Sequence, residues 1–212
     1  MTSSPACPRC LSELRPPDAR TGRWQCPVHG EVAPYRIADE APDEMLDMLR
    51  LEAMVPVWAP VPPPIGWTAS AVGWAGDEPG GPTGTAVAVS GPSPLGGPAD
   101  LVLVAEEPGV GLGARLAGQP DADPDPWDTA DAPSAKVTAA GHPTPLWTVP
   151  GPDDRAAWVG EARGVWLWVV LWPADAAVLL MEDLILRDLR DGDRDADPPL
   201  TVEFGARSPR LG

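Results

Sequence analysis

The chain has 212 residues, 43% of them apolar and 22% charged, which is enough for one ordinary domain with a sizeable core and a small appendage. Thirty prolines and 22 glycines argue against long helices and for many turns, loops and strand edges. A formal net charge of −16 disfavours sequence-independent binding to nucleic acid, and the most apolar stretch, Gly164 to Ala174, falls short of the ~18 residues a bilayer span needs.

Met1 to Pro8 carry no basic start followed by an apolar run, so no secretion signal is read and a cytoplasmic protein is expected. Within and just beyond that segment come Cys7 and Cys10, followed after fifteen residues by Cys26 and His29. Two short turns, each offering two ligands and each containing a proline, can close a tetrahedron around zinc without a hydrophobic core. The pattern takes every cysteine of the chain, and four protein ligands leave no position for water, so a structural zinc is expected. Residues 1–36, read as a zinc ribbon, carry five arginines against three carboxylates, a charge of +2 that leaves −18 on the remainder.

Residues 37–54 open on an acidic hinge and continue as Met45, Leu46, Met48, Leu49, Leu51 and Met54. This reads as an acidic linker and short amphipathic helix whose apolar stripe packs on the main domain or offers a docking face. An α+β domain is expected over 55–192. Val55, Val57 and Val61 lie in a proline-rich approach, and strands are read at Trp67 to Ala75, Thr85 to Ser90, Leu101 to Glu106, Ala135 to Ala140 and Leu146 to Val149.

Residues 156–172 add two strands around a turn at Arg163 and Gly164. The second, Val165 to Trp172, is apolar on both faces and belongs at the centre of a covered sheet. Its Trp166, Trp168 and Trp172 share one face, either as an aromatic platform or as buried filling between sheet and helix. Asp175 to Arg190 has helical spacing, with a strand opening at Leu184 to Leu186 as the alternative. Two acidic, proline-containing segments, Asp121 to Asp131 and Asp191 to Pro199, read as loops. A strand candidate at Leu200 to Phe204 lies within a polar C-terminal tail over 193–212.

Outside the cysteines, chemistry is sparse. The glycine-rich run Gly109 to Arg115 faintly resembles a dinucleotide loop, but no helix and parallel strand are read after it; its amides and Arg115 could instead hold an anion. His142, the histidine left over by zinc, is the natural general base if it meets Glu106, Glu107 or the Asp77 and Glu78 pair. No cysteine is left as a nucleophile, and neither a Gly-x-Ser-x-Gly elbow nor a His-Glu-x-x-His motif is present. The alternating Asp191, Asp193, Asp195 and Asp197 miss the glycine and glutamate of a calcium loop.

These residues carry a resemblance. The N-terminal Cys-Pro-x-Cys turn, Trp24-x-Cys26-x-x-His29-Gly30, Val55-Pro-Val-Trp58, Pro94-Leu-Gly-Gly-Pro98, the run from Glu106 to Arg115 and Gly141-His-Pro-Thr-Pro-Leu-Trp147 together resemble an uncharacterised actinomycete family, a domain of unknown function with an N-terminal zinc ribbon. The resemblance spans nearly the whole chain and implies no activity. The expectation is an α+β protein in which the ribbon precedes a mainly antiparallel sheet packed with one or two helices. Its function is read as non-enzymatic binding of a protein or small ligand, with an enzyme using Glu106, Arg115 and His142 as the alternative.

Overall fold

The computed structural model describes residues 4–19, 21–38, 42–77, 80–124, 132–191 and 208–212. The strand candidate at Leu200 to Phe204 and most of both acidic segments lie outside them. In chain order the first elements are β1 (Gln25–Cys26), β2 (Gly30–Glu31), β3 (Tyr35–Ile37), α1 (Pro42–Glu52) and β4 (Trp58–Pro60). Next come β5 (Thr68–Asp77), β6 (Gly81–Pro92), β7 (Pro98–Glu106), α2 (Leu112–Ala117), β8 (Ala135–Ala139) and β9 (His142–Val149). The chain continues through β10 (Ala156–Ala162), β11 (Val165–Trp172), a 3₁₀ helix (Ala174–Met181) and β12 (Ile185–Asp188).

Ten of these strands form one sheet in the order β3-β5-β6-β7-β11-β10-β9-β8-β12-β4. Every neighbouring pair is antiparallel except β12 with β8. The protein is therefore mainly antiparallel β with few helices. The sheet bends back on itself, so that β4 packs across onto β6 and β7. Among the described residues no helix is long and apolar enough to cross a membrane.

β11 lies at the middle of the sheet, and its two faces feed two cores. Leu167, Val169 and Leu171 join Leu101 and Leu103 of β7 in the inner core, with Trp58, Leu146 and Leu186. Trp168, Val170 and Trp172 join Val102, Val104, Leu112 and Ala114 on the other face, beneath α2. The tryptophans are thus filling rather than a platform: Trp168 is fully buried and Trp172 nearly so. Gly113 of α2 makes this packing possible, because a Cβ there would stand 2.1 Å from the Trp168 ring. β11 is reached from β10 by a tight turn with Arg163 and Gly164 both at positive φ, a conformation suited to a two-residue hairpin.

Three expectations need correction. The helix read over Asp175 to Arg190 ends at Met181 as a 3₁₀ turn, and Ile185–Asp188 is a strand. Its alternation buries Leu186 and Asp188 and exposes Ile185 and Arg187, and bonding to both β8 and β4 fixes the extended state. The proline-rich approach contains a strand, β4, because at the margin of a sheet proline forfeits no ladder bond. Residues 208–212 do not stand off as a polar tail: Leu211 is fully buried in the outer core, and Arg210 bonds Asp100 at 2.9 Å while lying over the Trp172 ring.

The stripe on α1 divides. Leu46 and Leu49 are buried in the inner core and Met45 and Met48 lean on it, whereas Leu51 and Met54 face solvent. The boundary drawn at residue 36 falls inside β3, which pairs with β5 and so joins the N-terminal segment to the main sheet.

Candidate metal centre

The N-terminal segment builds two turns. In the first, the Leu11 N–H donates to the Cys7 carbonyl and the Cys7 N–H to Ser12, curling residues 7–12 around their own sulfurs. In the second, Cys26 ends β1 and pairs with Gly30 at the start of β2, so the hairpin loop carries His29 inward. The N–H of Val28 points at the Cys26 sulfur, 3.4 Å away. The cluster beneath is small, with Cys7, Leu14, Cys26 and Val32 buried and Trp24 packed against them.

One ligand atom from each of Cys7, Cys10, Cys26 and His29 lies within 4.8 Å of all the others. The edges Cys7 Sγ to His29 Nδ1, Cys26 Sγ to His29 Nδ1 and Cys10 Sγ to Cys26 Sγ measure 3.5, 3.6 and 3.7 Å. Bonds of about 2.3 Å to sulfur and about 2.0–2.1 Å to nitrogen around a tetrahedral zinc give edges of about 3.5–3.8 Å. The donor set and these spacings are compatible with a metal site. Burial pushes the Cys7 thiol up to about 12, and a metal taking this site must displace that proton.

The first turn is also fastened to the main sheet. Arg115 of α2 donates through Nε to the Pro8 carbonyl at 2.7 Å, and Arg9 donates to the carbonyls of Gly109 and Val110. Tyr35 lies beneath Arg115, 5.3 Å from its ring centroid to the guanidinium, and gives its hydroxyl to the Leu211 carbonyl at 3.1 Å. Arg115 reaches the same carbonyl at 3.4 Å. The first turn, α2, β3 and the final residues thus share one buried layer.

This layer decides the other candidate residues. Glu106 is fully buried at the end of β7 and accepts the N–H groups of Leu112 and Gly113 at 2.6 and 3.0 Å. A six-residue helix, α2, forms within the glycine-rich run itself, and the Glu106 carboxyl of the chain occupies the amides a phosphate would need. Arg115, committed to Pro8 and Leu211, is no anion receptor either. His142 sits elsewhere, exposed at the start of β9, where it lines a cavity of about 390 Å³ with Pro143, Glu161 and Arg163. Neither Glu106 nor Arg115 borders that cavity. Glu107 is exposed, and Glu78 lies outside the described residues.

Burial raises the Glu106 carboxyl to about 8, outweighing the two backbone donors. An acid whose folded pKa is raised contributes stability that is complete below its ordinary pKa and lost as pH rises through the folded value. Between pH ~6.5 and ~8.5, chemical denaturation of the wild type is expected to show a fall roughly 2 kcal/mol larger than that of Glu106→Gln. Equal slopes would mean that Glu106 is already ionised at the start of that window.

The residues that fasten the turn, Arg9, Tyr35 and Arg115, were not linked by sequence reasoning. The lone tyrosine of the chain and the arginine inside the first turn were the available signals. One family model, described as a family of unknown function, matches residues 1–211. The chain belongs to that family, DUF6758. No curated protein and no solved structure matches it. The family membership therefore covers the two cysteine-bearing turns, the sheet and the closing residues together, without bringing an activity to any of them.

Proposed function

We propose that this member of DUF6758 is a zinc-ribbon protein in which a structural zinc, held by Cys7, Cys10, Cys26 and His29, supports a non-enzymatic binding or regulatory module. The observation that carries this reading is the Cys₃His cluster, three of whose ligand-to-ligand distances match the edges of a zinc tetrahedron and whose four protein donors would leave no site for a substrate. The first turn is consumed by contacts to α2 and its flanking loop, so the surface left for docking on the ribbon is the second turn, where Val28 is 72% exposed. An enzyme built on Glu106, Arg115 and His142 draws no support from their positions, since two serve as internal fastenings and the third is remote from them. The acidity of the body favours a protein or small-ligand partner over nucleic acid, and three metal-bound thiolates suit a reducing cytoplasm.

Metal analysis tests the centre. One zinc per chain is expected in the purified protein, and replacement by Co²⁺ should give tetrahedral absorption with an intense thiolate charge-transfer band. Cys26→Ser should lose that band. Full zinc content in Cys26→Ser, or an octahedral cobalt spectrum, would refute the assignment.

A further inference from the structure

The strongest unassigned feature lies far along the chain from the metal turns. Pro62 and Pro64, Trp67, Pro92 and Pro94, and Leu179 line an apolar groove of about 470 Å³. Its walls are fixed in place. Trp67 donates its indole N–H to the Pro92 carbonyl at 3.1 Å, the Val61 N–H bonds Ile185 at 3.0 Å, and the turn at 93–97 is closed by Ser93 N–H to the Gly97 carbonyl at 2.9 Å. A rigid, proline-walled groove loses little conformational freedom when something binds.

Eight large apolar side chains are exposed among the described residues; two line this groove and two more are next in sequence to residues that line it. Ile65, 97% exposed, and Ile185, 44% exposed, line it. Leu95 and Met181 are the direct chain neighbours of its lining residues Pro94 and Glu182. Isolated exposed apolar residues need no explanation, but a gathered set beside a concave apolar wall marks a binding surface. The charge in its lining is of one sign only: Glu182 and Asp183 contribute carboxylates and Ser93 a hydroxyl, with no lysine or arginine. Lys136 approaches Asp183 at 3.9 Å from outside, and both side chains are largely exposed.

We infer that this groove binds an extended segment of a partner protein in which proline or aliphatic residues are flanked by arginine or lysine. Apolar side chains fill the space between the proline walls, and the flanking cations meet Glu182 and Asp183 at the rim. Proline-containing segments suit such a groove because they are already extended in solution and lose little entropy on docking. The inference rests on the reading of the protein as a binding module and supplies its surface and the chemistry of its partner.

The test uses full-length, zinc-loaded protein and a fluorescein-labelled synthetic peptide with arginines flanking a proline and leucine core, followed by anisotropy at about 150 mM salt, where long-range attraction is screened. Saturable binding is expected, weakened about tenfold or more by Ile65→Ser, by Asp183→Lys and by exchange of the peptide's arginines for glutamates. Asp153→Lys, an exposed change elsewhere in the chain, should leave affinity unaltered and so excludes general attraction to an acidic protein. Absence of saturable binding, indifference to Ile65→Ser and Asp183→Lys, or selective uptake of a small apolar dye in place of the peptide would overturn the inference. Zinc content and thermal unfolding of the same samples separate the two readings. Failure with zinc bound condemns the groove, while protein that never holds zinc condemns the metal centre.

Discussion

Removing the metal with a strong chelator is expected to open the N-terminal segment while most of the sheet stays folded. The cluster under the two turns buries only four residues, far too few to hold a segment of this size by themselves. Structural zinc in small modules contributes about 10–16 kcal/mol of apparent binding free energy near neutral pH, and a zinc held by the four ligands would supply the energy that holds the turns. The main body has two apolar cores of its own, so its strands do not depend on the ion. Trypsin should therefore cut the chelated protein rapidly at Arg9 and Arg23, leaving a resistant fragment that begins near β3, whereas the Arg15–Pro16 bond resists the enzyme in either state. Zinc added back should restore protection. Unchanged cleavage after verified metal loss would show that Arg9 and Arg115 hold the turn without the ion, and a global collapse would show that body and turns form one cooperative unit.

The second large effect belongs to Asp188. Its side chain is completely buried and receives Arg163 at 2.9 Å, Arg190 at 2.7 Å and the Val57 N–H at 3.1 Å. Arg190 continues to the carbonyls of Ala53 and Met54, at 3.2 and 3.0 Å, and Arg163 to Asp191. One carboxylate thus ties β12 to the β10–β11 turn, to the end of α1 and to the entry into β4. Asp188→Ala removes the acceptor shared by two guanidinium groups and the buried Val57 N–H and is expected to cost about 3 kcal/mol, a fall of roughly 10 °C in Tm. Burial alone would raise this carboxyl, but bonds from Arg190 and Val57 hold it below the ordinary aspartate value. Its contribution is therefore complete above the ordinary pKa of ~3.9 and disappears as pH falls through the lower folded value. Acid unfolding should be less steep in Asp188→Asn than in the wild type. A loss near that of an exposed ion pair, below about 1 kcal/mol, would contradict this account.

The parts legible in the sequence were those where one local rule acted alone. The ligand spacing marked Cys7, Cys10, Cys26 and His29, and the geometry gathers all four. Continuous apolarity on both faces put β11 at the centre of the sheet, where it lies between β7 and β10. Legibility failed where two patterns overlapped. From Val178 to Leu189 the apolar residues satisfy a helical spacing, while the pairing partners that select a strand, β8 and β4, lie far away in sequence. Leu211 gave no signal, because a single leucine near a chain end has no periodicity to betray its burial. The layer of Arg9, Arg115, Tyr35 and Leu211 was hidden for the same reason. Its members are each unremarkable alone, and one of the bonds that joins them, Tyr35 to Leu211, spans 176 residues.

The bridge between Ala6 and Tyr35 has a further consequence. The two residues exchange backbone bonds of 2.9 and 2.8 Å, with Ala6 lying along the side of β3 away from β5. β3 is the last strand on its side of the sheet, and a bare strand there would present unpaired N–H and carbonyl groups as a template for another chain. The segment carrying the metal turns is thus a selvedge, finishing a margin that would otherwise fray into contact with its neighbours. An ion at Cys7, the next residue, would guard the protein against self-association as well as against unfolding.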